Sequence, residues 1–130
     1  MRILMVTFGY YPAVGWGGPV AVVRQDALEL KRRGRTVVVC ASNRQDKSKR
    51  INPHTFLGDV DGVDVLYLNT HMLKRWPGTI GPTWLAPRAV VKLWQAVGET
   101  DIVHVHGTRN VISMLAAYFA LIRQRPLVLQ

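Results

Sequence analysis

Short apolar runs alternate along this chain with longer stretches at helical period, and that rhythm belongs to a parallel sheet covered by helices. Arg2 to Thr7 is apolar enough for a central strand buried on both faces. A helix is expected from Gly18 to Arg33, with Val20, Val23, Ala27 and Leu30 on one face and Gly34 as its stop. Thr36 to Ala41 reads as the second strand. Phe56 to Val60 and Val63 to Leu68 flank Asp61-Gly62, a pair that suits a tight turn, so a short hairpin is expected at the sheet edge. The polar, basic stretch between Ser42 and Thr55 reads as a loop, and Asn69 to Thr83, with no clear period, as a loop or broken helix. Pro87 to Val97 predicts a helix with Val90, Leu93, Trp94 and Val97 on one face and Gly98 as its stop. Asp101 to His106 is the next strand. Val111, Leu115, Tyr118, Phe119 and Ile122 then recur at helical spacing, with Arg123 and Arg125 at that helix's negative end. Leu127 to Leu129 forms the last strand.

The expected fold is therefore α/β, an open and mostly parallel sheet of Rossmann-like type in the order 3-2-1-4-5, with helices on both faces. At 130 residues the chain makes one domain able to bury a core without staples. Its one cysteine, Cys40, lies inside an apolar run and reads as a buried thiol, which suits a reducing cytoplasm. The start lacks a signal peptide's cleavage region, and no apolar run approaches the ~18 residues that a membrane span requires, so a soluble chain is expected. Seventeen Lys and Arg against eight Asp and Glu give a net charge of +9. The cations gather at Lys31 to Arg35, Arg44 to Arg50 and Lys74-Arg75, the last pair being followed by Trp76 and Trp84. Such mixtures mark nucleic acid or anionic lipid, and otherwise a solvated basic face. With no helix-turn-helix, zinc finger or RNA-binding aromatic motif, no nucleic-acid partner is expected.

The loop from Phe8 to Pro19 joins the first strand to the first helix and contains Gly15, Gly17 and Gly18. Glycines there let backbone N–H groups approach a ligand, and the positive end of the helix favours a phosphate. Gly17 or Gly18 is the expected N-cap, and Pro19 suits the first helical position. Ordinary strand-to-helix punctuation is the competing explanation. A dinucleotide site is disfavoured because the loop is long and the second strand ends Cys40-Ala-Ser-Asn43, with no acid for a ribose. In the expected order the first and fourth strands are neighbours at the switch point, so His106-Gly107-Thr108 leaves the sheet beside the glycine loop. His106, at the strand's end, is the site candidate. His104 reads as a hydrogen-bonded structural residue, and His54 and His71 as incidental loop histidines. No Cys, Asp or Glu joins the histidine pair at ligand spacing, so no metal site is expected.

The stretches Arg2-Ile-Leu-Met-Val-Thr, Pro12 to Pro19, Leu28-Glu-Leu-Lys-Arg-Arg-Gly34, Thr36-Val-Val-Val-Cys and Asp101-Ile-Val-His-Val-His-Gly107 together closely resemble the N-terminal domain of family 4 glycosyltransferases. The resemblance runs along essentially the whole chain; it rests on order and spacing more than on any single motif. It implies one half of a GT-B enzyme, which transfers a sugar from a nucleotide-diphosphate donor to an acceptor with retention and without a metal ion. The resemblance assigns Gly17 and Gly18 to the donor phosphates and His106, the catalytic candidate, to the place beside the transferred sugar and acceptor; Gly107 and Thr108, which follow it, are the further candidates for binding the donor. It gives no cofactor beyond the donor substrate. It also implies a sugar or lipid acceptor, and docking on anionic membrane at the inner face through residues such as Lys74, Arg75 and Trp76. The departure is the second, donor-binding domain. The expectation is thus an incomplete half-domain, inactive without a C-terminal half. The competing expectation is a non-catalytic α/β module that self-associates, or takes a partner, through its unfinished sheet edge.

Overall fold

The computed structural model describes residues 1–13, 18–45, 49–52, 54–72, 83–107 and 110–130, apart from the side chains of Met72, Thr83 and Trp84. In chain order the elements are β1 (Arg2–Val6), α1 (Gly18–Arg32), β2 (Thr36–Ser42), β3 (Phe56–Val60), β4 (Val63–Leu68), β5 (Thr70–Met72), β6 (Thr83–Leu85), α2 (Pro87–Gly98), β7 (Ile102–Val105), α3 (Val111–Ile122) and β8 (Leu127–Leu129). The architecture is α/β around an open mixed sheet.

The expected order is corrected. The sheet has six strands, in the order β3-β4-β2-β1-β7-β8, and β3 runs antiparallel to β4. The two-residue turn is the reason: Asp61 and Gly62 both take positive φ, 54° and 80°, which folds β3 straight back along β4 and adds an edge strand. Gly62 N–H also donates to Asp59 Oδ1 at 2.9 Å. The other pairs, β1 with β2, β1 with β7, β2 with β4 and β7 with β8, are parallel. A second, two-stranded sheet joins β5 to β6, where a loop or broken helix had been expected.

Side-chain alternation divides the core in two. Leu4, Val6, Val38, Cys40, Leu68, Val103 and Val105 face α2 and α3, which contribute Leu93, Val97, Ile112, Ala116 and Ala120. Their neighbours along the strands, including Ile3, Met5, Val37, Val39 and Val65, face Val23 and Ala27 of α1. Helices therefore cover both faces, which is why β1 and β2 read as unbroken apolar runs. Cys40 is fully buried, and burial pushes its thiol well above the ordinary range.

The third helix turns only part of its expected face inward: Val111, Leu115 and Phe119 pack, partly buried, against the core. It buries Ile112, Ser113, Ala116 and Ala120, while Tyr118 and Ile122 stand 59% and 50% exposed. Small side chains at four-residue intervals let the helix approach the sheet closely. Arg125 caps a different helix from the one expected: its guanidinium donates to Gly98 O, at the end of α2. Arg123 lies over the Trp94 ring at 4.0 Å and so ties α3 to α2.

Candidate functional site

The residues that leave the carboxyl ends of β1 and β7 form the candidate site. Parallel pairing aligns Val6 with Val105, and His106 N–H continues the ladder by donating to Val6 O at 2.8 Å. Neighbouring parallel strands end on the same rim, where the peptide dipoles and helix N-termini of such a sheet converge. Gly18 opens α1 after the loop that leaves β1, with Pro19 in the first helical turn. Among the described residues, nothing lies within 4 Å of a Cβ placed at Gly18.

The start of that loop is held firmly. Thr7 N–H donates to Cys40 O at 3.0 Å, and Phe8 O accepts from Ser42 N–H at 2.8 Å, so residues 7 and 8 lean on β2. Tyr10 and Ala13 are fully buried, and Ala13 N–H closes a turn onto Tyr10 O. Tyr67 of β4 donates its hydroxyl to Tyr11 O. On the other side Arg24 of α1 lies over the Tyr11 ring at 4.5 Å while pairing with Asp61 at 2.6 Å. Tyr11 is thus anchored from a strand and a helix, and the hairpin turn holds the helix's arginine in place. Burial raises the Tyr10 hydroxyl to about 12 against the opposing Arg24 charge, and burial also raises Tyr67 to about 12. Both remain protonated donors at neutral pH.

His106 is 7% exposed, and its Nε2 has no hydrogen-bond partner among the described residues. Burial, reinforced by the nearby His104 and weakly opposed by Asp26, lowers its pKa from 6.5 to about 4. At neutral pH it is an uncharged imidazole with one free nitrogen, able to give or take a single hydrogen bond. An anion docking close by would oppose that shift, since opposite charge favours the protonated form. His104, whose ring centroid lies 4.1 Å away, instead has its Nε2 3.0 Å from Gln130 Oε1, as a structural histidine should. Gly107 follows with φ of 75°, a left-handed conformation that favours glycine, and its N–H donates to Gln130 O at 3.0 Å.

Of the donor-binding candidates, Gly18 and Gly107 flank this rim, while Gly17 and Thr108 lie outside the described residues. So do Lys74, Arg75 and Trp76. His71, expected in a loop, belongs to β5, and its Nδ1 lies 3.2 Å from the Arg50 guanidinium. No group of three His, Cys, Asp or Glu among the described residues is placed to hold a metal ion.

Two features escaped the sequence reading. One is the Tyr10, Tyr11, Tyr67 and Arg24 cluster, for which the adjacent tyrosines at the strand's end were a usable signal. The other is Asn43, buried at the end of β2. Its amide donates to Asn52 O at 2.7 Å and to Asn69 Oδ1 at 3.1 Å, and its Oδ1 accepts from Thr70 N–H at 3.1 Å. Asn43 thus secures the rim two strands away from His106. No family model and no curated protein matches this chain.

Proposed function

We propose that this chain is the acceptor-side half of a retaining glycosyltransferase of GT-B type, acting on a nucleotide-diphosphate sugar. The observation that carries the reading is the pairing of β1 with β7, which brings the approach to the glycine loop and a buried, unpartnered His106 nitrogen to one rim of the sheet. The first turn of α1 would meet the diphosphate, with Gly17 and Gly18 as backbone donors beside it. His106, uncharged, suits a sugar hydroxyl better than a phosphate oxygen. A single well-placed neutral hydrogen bond contributes about 0.5–1.5 kcal/mol. The resemblance puts the cations that stabilise a departing diphosphate, usually among the larger catalytic terms, in a second domain, so transfer would need a C-terminal donor-binding half.

The test is transfer of labelled sugar from a nucleotide-diphosphate donor after adding such a C-terminal half. Activity should appear only in the mixture and fall about two- to tenfold in His106→Ala. Full activity in that variant would remove His106 from the site.

A second reading, a non-catalytic module that pairs through its sheet edge, is favoured by β8. This strand is terminal in the sheet, and Val128 and Leu129 are 47% and 58% exposed. Sedimentation decides it: a monomer at high concentration, together with transfer in the mixture, rejects the module reading.

A further inference from the structure

The rim that holds His106 continues past β1 to the carboxyl ends of β2 and β4. There β2 runs into Asn43 and Arg44, both buried, and an isolated antiparallel bridge sets Arg44 opposite Arg50. Gln45 N–H donates to Lys49 O at 2.9 Å and Ile51 N–H to Asn43 O at 2.7 Å, so the bridge is held from both ends. Directly opposed residues share a face, which puts two arginines on one side of it.

Arg50 reaches from this bridge to the end of β4. Its Nη2 donates to Thr70 O at 3.3 Å and lies 3.2 Å from His71 Nδ1 on β5. Its Nε is buried with no hydrogen-bond partner among the described residues, and among them Arg50 enters no ion pair. An unpaired, buried donor on a permanently charged group is costly, so the position suits an anionic acceptor. With Nδ1 facing the guanidinium, the proton of a neutral His71 belongs on Nε2, where it is a second donor.

The wall behind these groups is fixed by bonds of its own. Asn43 donates to Asn52 O and accepts from Thr70 N–H, while Asn69 N–H donates to Thr55 Oγ1 at 2.9 Å. None of these bonds uses the remaining donors of Arg50. The guanidinium is thus held against a rigid corner of backbone between β2, β4 and β5, as a preorganised oxyanion site requires.

We propose that Arg50 and His71, with Arg44 beside them, bind a phosphate monoester carried by the acceptor. A guanidinium takes phosphate oxygens through paired N–H donors, and a second arginine favours a doubly charged group over a carboxylate. On this rim β4 and β7 end three interstrand spacings apart, roughly 14 Å, so the phosphate lies well away from the hydroxyl that meets His106. That the phosphate belongs to the acceptor rests on the sugar-transfer reading; the anion site does not.

NMR titration of the isotope-labelled chain with inorganic phosphate, glucose 6-phosphate or glucose tests it. The Arg50 Nε–H signal and the backbone amides of Thr70 and His71 should shift saturably with both phosphates and not with glucose, while the Nε–H signals of the exposed Arg35 and Arg88 stay in place. Glucose 6-phosphate should bind at least as tightly as inorganic phosphate. Arg50→Gln should weaken binding about tenfold or more, and Arg50→Lys, which keeps the charge but loses the fork, by less. Arg35→Gln should weaken it by less than about twofold, because an exposed charge acts through screened solvent.

Unmoved Arg50 and Thr70 signals overturn the site. So do shifts shared equally by Arg35 and Arg88, or equal losses from Arg50→Gln and Arg35→Gln, either of which would mean diffuse attraction by a chain of charge +9. Binding of inorganic phosphate with exclusion of glucose 6-phosphate overturns the monoester. The titration of the unaltered chain decides the matter where Arg50→Gln does not fold. Absent phosphate binding overturns this inference even where the two halves together transfer sugar, whereas binding without transfer supports the site and counts against the sugar-transfer reading.

Discussion

His106 carries a consequence that can be measured without any substrate. Its folded-state pKa of about 4 lies below the ordinary 6.5, so between those values the unfolded chain binds more protons than the folded one. Stability contributed by the neutral imidazole is full above pH 6.5 and is lost as the pH falls toward 4, by up to about 3 kcal/mol at ~1.4 kcal/mol per pH unit. Urea unfolding across that range should show the loss, and His106→Gln should flatten it. Glu29 titrates separately: its two arginine partners lower it from 4.5 to about 2, so its contribution disappears at more acid pH. Gly107 offers a second check. Among the described residues a Cβ there would meet nothing within 4 Å, so Gly107→Ala should cost the strain of its positive φ, about 1–2 kcal/mol in the same measurement.

At the scale of single elements, α3 is the most instructive. Its sequence, Val111-Ile-Ser-Met-Leu-Ala-Ala-Tyr-Phe-Ala-Leu-Ile122, is apolar nearly all round, so periodicity names a helix without naming its inner face. Of the residues read at helical spacing, Val111, Leu115 and Phe119 pack on the core and Tyr118 and Ile122 face outward, while the fully buried positions are Ile112, Ala116 and Ala120. Ala116→Leu should therefore destabilise the chain by about 1–3 kcal/mol through overpacking, while Tyr118→Ala should change thermal stability by less than ~0.5 kcal/mol. The reverse ranking in thermal unfolding would restore the face expected from sequence. The hairpin shows the opposite case, where two residues sufficed. Asp61-Gly62 dictated a turn that only positive φ can make, and β3 and β4 formed as read.

For the whole molecule, the central question is how the two layers close over the sheet. Cys40 sits in β2, fully buried, and should resist thiol reagents until the chain unfolds globally. Leu93→Ala, which opens a cavity between α2 and the sheet, should cost about 2–5 kcal/mol and speed Cys40 labelling about 30-fold or more. Labelling that is fast in the unaltered chain would mean that β2 opens locally. By itself the sequence determined the alternation of strands and helices, the buried strand interiors, the Asp61-Gly62 turn and the candidacy of His106. Those depend on residue period, on left-handed turn chemistry and on position at a strand's end, all local properties of the chain. The tertiary structure alone decided the six-strand order, the pairing of β5 with β6, the inner face of α3, the anchoring of Tyr11 by Arg24 and Tyr67, and the desolvation of His106. Each of these depends on which distant segments share a surface, and contacts between residues tens of positions apart leave no period to read.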